Sequence, residues 1–278
     1  LQMQEIYDEP FADSSNIPTF LISKYASQFH KVALTGDGGD ELLGGYSIWY
    51  RALLDDDKKK LKKNFIKAVA KKLLSHSQKH ADAFFDKNYS PVAKQHLNQN
   101  VFFTDAELNE LGLKDIDSFT TAASYNFNTA DDAMRMDIEN YMPGDILVKT
   151  DRASMANSLE LRAPFLDIDF ASFCISLPYT LKLNKENDKL ILKSALTDML
   201  PKEILSRVKQ GFGAPVDRWL QLKSVSALNT KMLGNADSKI YSLLSPEKIK
   251  YIAKQNNYQT WILLVLSLWM EKHDFTIG

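Results

Sequence analysis

The residues able to do chemistry crowd into one short segment, Thr35-Gly-Asp-Gly-Gly-Asp-Glu-Leu-Leu-Gly-Gly-Tyr46. Five of the chain's eleven glycines lie between Gly36 and Gly45, and three carboxylates, Asp37, Asp40 and Glu41, sit among them. Glycine admits backbone conformations closed to other residues and lets N–H groups come close to a ligand. Carboxylates are poor direct partners for phosphate but good ligands for Mg²⁺, which can carry phosphate in turn. The segment therefore reads as a loop for a nucleotide and its metal. A plain turn whose acids hydrogen-bond backbone amides fits the spacing as well. The order of ligands is wrong for an EF-hand, and no Lys-Ser or Lys-Thr follows the glycines as a Walker A loop requires.

Other candidates are weaker. His76 and His80 are spaced to share a helix face, but no third metal ligand accompanies them, and they read as surface histidines. Cys174, the chain's only cysteine, lies in Phe173-Cys-Ile-Ser-Leu177 and reads as a small core residue. A single cysteine excludes an internal disulfide and suits a reducing compartment, hence the cytoplasm. Residues 55–74 form a lysine-rich amphipathic helix with Leu61, Phe65, Val69 and Leu73 on one side. A solvated lysine face explains it better than nucleic acid or membrane does.

These residues need elements to hold them. Lys31-Val-Ala-Leu-Thr35 has the composition of a short buried strand, placing the glycine segment at a strand's carboxyl end, where open α/β sheets bind ligands. A helix is expected around Pro18 to Phe29, with Ile17, Phe20, Leu21 and Tyr25 on one face. Asp131-Asp132 marks a helix start, Pro143-Gly144 a break, Glu160 to Asp167 a loop stiffened by Pro164, and Lys189 to Leu200 a further helix ended by Pro201. The apolar run Trp261 to Met270 is too short for a bilayer and reads as a buried helix. With 278 residues, 45% hydrophobic and 25% charged, and a net charge of −1, the chain can bury a full core and has no global field to attract nucleic acid or an anionic membrane. Only one strand is evident, so any parallel sheet lacks its partners.

Four segments, in order, resemble the synthetase domain of the asparagine synthetase family, the glutamine-hydrolysing type B. They are Asp8-Glu-Pro-Phe-Ala-Asp-Ser-Ser15; Thr35 to Glu41 with Gly44-Gly-Tyr46; Asp145-Ile-Leu-Val-Lys-Thr-Asp-Arg-Ala-Ser-Met155 leading to Glu160-Leu-Arg-Ala-Pro-Phe-Leu-Asp167; and Lys189 with Leu200-Pro201 and Lys209-Gln-Gly-Phe212. The resemblance spans residues 1–278 except for a variable helical segment at about 52–118. It implies the helical C-terminal part of an α/β domain of the adenine-nucleotide hydrolase type (a PP-loop ATP pyrophosphatase), with only remnants of the parallel sheet. ATP with Mg²⁺ would activate the aspartate side chain as an acyl-adenylate, and ammonia from a glutaminase domain would displace AMP. Carried over by position, Thr35, Gly36, Gly38 and Gly39 would contact the nucleotide, and Asp40 would hold Mg²⁺. Asp37, where the family often has glutamate, and Lys189 would be catalytic, the lysine neutralising charge on the phosphates. Without the resemblance, Lys189 would read as a solvated helix lysine. Arg152 and Arg162 are expected to be structural or substrate-orienting, with Asp151 and Asp167 as their partners.

Two departures qualify the resemblance. The family's catalytic N-terminal cysteine and its Ser-Gly-Gly-x-Asp-Ser pyrophosphate loop are both missing from these 278 residues. The expectation is therefore a domain cut after its first strands, inactive alone and active within a longer parent, which could be a homodimer. Two alternatives stand: an amidotransferase for another carboxylate, such as a sugar acid in polysaccharide assembly, which Asp37 in place of glutamate leaves open, and a non-catalytic helical interaction module.

Overall fold

The computed structural model describes residues 2–46, 50–51, 53–54, 101–113, 129–207 and 211–275. The helix expected at 55–74, His76 and His80, and Lys209 and Gln210 lie outside the described residues. The architecture is a mostly helical α/β arrangement with one two-stranded parallel sheet, β1 (Val32–Leu34) beside β2 (Glu160–Arg162). Val32 faces Glu160, Ala33 faces Leu161 and Leu34 faces Arg162, and Thr35 N–H extends the ladder to the Arg162 carbonyl at 2.8 Å.

Each strand is entered from a helix: Asn16–Ala26 before β1 and Leu147–Met155 before β2. Such a helix runs back along the strand it feeds, so its N-terminal end lies at the strand's carboxyl end. That topology brings the Asp13–Ser15 corner, the start of the Leu147–Met155 helix and the glycine loop after β1 to one edge. Trp261, on the C-terminal helix Tyr258–Lys272, donates its indole N–H to the Ala12 carbonyl at 2.8 Å, and the Tyr258 hydroxyl accepts the Ser14 N–H. The C-terminal helix, packed among Leu220, Leu233, Ile249 and Ile252, thus fixes the corner that carries Asp13. Asn257 caps this helix by accepting the Thr260 N–H, and its apolar run is buried as expected.

Several expectations are corrected. The strand at 31–35 is not buried: Val32 is 40% and Leu34 74% exposed, because among the described residues only one strand adjoins β1 and no layer covers it. The Asn16–Ala26 helix buries Thr19, Phe20 and Ser23 and turns Leu21 and Tyr25 outward with Ile22, so its apolar face looks away from the core described here. Glu160–Arg162 is a strand rather than a loop, since its backbone completes the ladder with β1 although its residues show no apolar alternation. Pro143-Gly144 does not interrupt the chain's helical course. The turns widen into a π-helix, Asp137–Ile146, which accommodates the proline ring and runs directly into Leu147–Met155. The last expected helix covers only Leu190–Ala195, beginning after Lys189. Cys174 is buried against Leu42 and Leu43, as expected of a core residue.

Candidate active site

The glycine loop turns on Gly38, whose φ of +84° belongs to the left-handed region. A Cβ there would stand 2.3 Å from Leu166 Cδ2, and one on Gly39 would stand 3.3 Å from the Phe165 ring. Both glycines therefore let the short 3₁₀ turn Pro164–Leu166 press against the loop from below. The Gly39 N–H closes the turn onto the Gly36 carbonyl at 3.1 Å, and Gly39 does not line the cavity above. Gly36 does line it and has open space on its Cα. Thr35 donates its hydroxyl to Asp37 at 2.9 Å, holding that carboxylate at the rim.

Asp40 and Lys189 meet across the loop, Nζ to Oδ1 at 2.8 Å, each side chain 27% exposed. Lys189 sits at φ +49°, an uncommon conformation for a lysine, at the start of the Leu190–Ala195 helix. Gly45 makes the meeting possible. A Cβ on it would lie 1.9 Å from Asp40 Oδ1 and 2.5 Å from Lys189 Cε. Glu41, the third carboxylate, is turned inward and accepts the Tyr46 hydroxyl at 2.6 Å. Burial pushes its carboxyl above the ordinary value, against the Tyr46 hydrogen bond, so Glu41 is a structural member of the loop.

The loop borders a cavity of about 840 Å³ that is lined also by the Asn16–Ala26 and Leu147–Met155 helices, with Thr35, Gly36, Asp37, Gly38 and Asp40 at the loop end. Asp13 and Lys149 line the same cavity, Nζ to Oδ2 at 2.8 Å. Asp145 lies beside them. Burial and the Asp13 charge raise its carboxyl to about 7, against the pull of Lys149 and the Tyr141 hydroxyl. Asp13 itself is pushed up by burial, but Lys149 and the Ser15 hydrogen bonds outweigh that and hold it below the ordinary value. Tyr141 joins this group to the loop, its ring meeting Tyr46 edge-on at 6.1 Å. Nothing in the local sequence sets Asp13, Asp145 or Lys149 apart as members of one site. The expected partners of the arginines are corrected too: Arg152 pairs with Asp8 and Arg162 with Glu160 at 2.8 Å, whereas Asp167 caps the Ile168–Ser176 helix through the Asp169 and Phe170 N–H groups.

Among the described residues no three His, Cys, Asp or Glu side chains gather as a dedicated metal cage. The arrangement fits Mg²⁺ in its other common setting, one carboxylate plus substrate phosphates. Asp40 places one carboxylate at the cavity edge.

The model of the family described as asparagine synthase matches residues 2–271. The chain belongs to the asparagine synthase family. Asparagine synthetase 1 (glutamine-hydrolyzing) of Bacillus subtilis is 30% identical over 229 residues, covering 77% of this chain and 35% of the relative. A Mycobacterium bovis relative with a provisional asparagine synthetase name is 28% identical over 281 residues, 94% of this chain and 42% of its own length. The asparagine synthetase of Gallus gallus is 44% identical over 69 residues, 24% of this chain and 12% of the relative. The chain thus spans less than half the length of these asparagine synthetase relatives. No helix among the described residues is long and apolar enough to cross a membrane.

Proposed function

We propose that this chain is the C-terminal part of an ATP-dependent carbon–nitrogen ligase that converts aspartate to asparagine. The side-chain carboxylate oxygen attacks the α-phosphorus of ATP, the bond to pyrophosphate breaks, and an aspartyl-adenylate forms. Ammonia then attacks the acyl carbon, AMP leaves, and a proton is lost. The observation that carries this reading is Asp40 at the edge of a large cavity beside the glycine loop, paired with Lys189, which does not itself line the cavity, where Gly45 leaves room for the contact.

Adenylation brings two anions together, so the site must offset their repulsion. Lys189 would place its ammonium on the phosphates and Asp40 would hold Mg²⁺, which shields the polyphosphate charge. Thr35, Gly36 and Gly38 would border the nucleotide. Asp37, fixed by the Thr35 hydroxyl, would support the carboxylate–phosphate step. Gly39 would serve by closing the turn.

The uncovered side of β1 supports a longer parent. Among the described residues Leu21, Tyr25, Phe29 and Val32 are exposed apolar side chains outside the cavity, whereas parallel sheets are ordinarily covered on both sides. Further strands carrying a pyrophosphate loop would cover them and complete a PP-loop pyrophosphatase fold, with a glutaminase domain supplying ammonia. The 278 residues alone would bind ATP weakly and not turn over.

The test is a panel of carboxylates given to the full-length protein with ATP, Mg²⁺ and glutamine or ammonia, read by pyrophosphate release. Aspartate-dependent release with equal AMP and asparagine is the expected result. Release with a sugar acid and not with aspartate would transfer the same chemistry to another acceptor. No release with any carboxylate would leave only a helical interaction module.

A further inference from the structure

The cavity has a second charged station, and the proposed reaction gives it no task. Asp13 and Lys149 form an ion pair with 23% and 10% of their side-chain surfaces open, on a wall that they share with the metal loop. As a tie between the Asn16–Ala26 and Leu147–Met155 helices the pair is poorly explained. A buried ion pair is weak evidence for stability, because desolvation offsets the attraction. Asn157, two residues past the second helix, also ties it to the first through its side-chain amide on the Phe20 carbonyl.

The surroundings suit recognition. Asp13 is aimed by Ser15, whose N–H donates to Oδ1 at 2.9 Å and whose hydroxyl donates to Oδ2 at 2.6 Å. The Lys149 helix is held from the other side by the Tyr7 hydroxyl, which donates to the Lys149 carbonyl at 3.1 Å. An ammonium carries three donors, and the contact with Asp13 uses one. Asp145 Oδ1 beside the pair is buried without a hydrogen-bond partner among the described residues. One cation and one firmly ionised carboxylate, backed by a polar atom awaiting a donor, match a ligand end that bears one ammonium and one carboxylate.

We infer that Asp13 and Lys149 recognise the α-ammonium and α-carboxylate of an amino-acid acceptor, so that its side-chain carboxylate is directed toward the nucleotide loop. The assignment rests on the ligase reading above and adds the side chains that would hold the acceptor's α end. Lys149 takes the α-carboxylate through a donor not engaged by Asp13. Asp13, with Asp145 behind it, takes the α-ammonium. A sugar acid or a simple dicarboxylate offers no cation to this station and leaves Asp13 without a new partner.

The test compares three acceptors in pyrophosphate release by the full-length protein: L-aspartate, succinate (no ammonium) and β-alanine (no α-carboxylate). Wild type should show kcat/KM at least about tenfold lower for each truncated acceptor, the scale of losing one charge-assisted hydrogen bond. Asp13→Asn should erase the preference for aspartate over succinate, and Lys149→Gln the preference over β-alanine, with KM for ATP within about twofold of wild type. Lys149→Arg should restore part of the second preference, which a loss of folding would not allow. Wild-type release with no preference among the three overturns this assignment and leaves the ligase standing. No release with any carboxylate overturns both. Variants that raise KM for ATP as much as for aspartate, or keep both preferences, show the pair to be only a helix tie.

Discussion

Gly45→Ala separates the fold from the site with one methyl group. Gly45 does not have positive φ, so alanine fits its backbone without strain. The added Cβ would stand 1.9 Å from Asp40 Oδ1 and 2.5 Å from Lys189 Cε, both side-chain rather than backbone atoms. Ordinary contact begins near 3.4 Å, so the carboxylate must retreat by about 1.5 Å and the lysine by about 1 Å. A displacement of about 1 Å at a reacting centre costs on the order of 100-fold in rate. Full-length Gly45→Ala should therefore lose about 100-fold in kcat/KM for pyrophosphate release while its melting temperature stays within a few degrees of wild type. Its neighbour gives the converse. Gly44 has φ +73°, and a Cβ on it meets Leu183 Cδ2 at 2.8 Å in the core, so Gly44→Ala should cost about 1–3 kcal/mol of stability. Gly144→Ala, with open space around its Cα, should change neither quantity. Wild-type kcat/KM in a well-folded Gly45→Ala protein would refute the reasoning that joins Asp40 and Lys189 into one working pair.

Asp145 should govern stability against pH. Its folded carboxyl is raised to about 7, so the native state keeps a proton that the unfolded chain sheds near pH 4. Stability from this group is complete below the ordinary carboxyl range and is lost as pH rises through about 7. Asp145→Asn, which imitates the protonated form, should melt higher than wild type at pH 8 by up to about 4 kcal/mol equivalent and show no advantage at pH 4; parallel melting curves across that range would contradict it. Asn257→Ala removes the cap of the C-terminal helix and should cost about 1 kcal/mol by denaturant titration. Replacing Leu21 and Tyr25 together with serine should barely change the melting temperature of the 278-residue chain, since both are exposed and neither lines the cavity, but should weaken the full-length protein's activity if that face is covered there. Unchanged full-length activity would oppose the covered-face reading.

The parts of the site legible in sequence were those packed into consecutive residues. Asp37, Asp40 and the glycines announce themselves by composition, and the structure puts Asp37 and Asp40 at the cavity. Lys189 reached the candidate set only through the family resemblance, because nothing local tells a lysine before a short helix from a solvated one. The Asp13–Lys149–Asp145 group joins two distant segments, and no spacing rule reports a contact made by topology. Strand β2 escaped because three residues pairing through their backbone need no side-chain pattern. Leu21 and Tyr25 misled for a related reason: their apolar spacing is real, but the surface it serves is not supplied by the described residues. Pro143 reads as a breaker because an α-helix interior excludes it, and the π-helix shows how a wider turn can hold it.

The most direct test of the central claim is pyrophosphate release by full-length protein, wild type against Asp40→Ala, titrated with Mg²⁺ at fixed ATP and aspartate. A metal-holding Asp40 predicts loss of at least about 100-fold in the variant, with the remaining activity needing far more Mg²⁺. Equal release at equal Mg²⁺ would contradict it, and the glycine loop would then be only a turn.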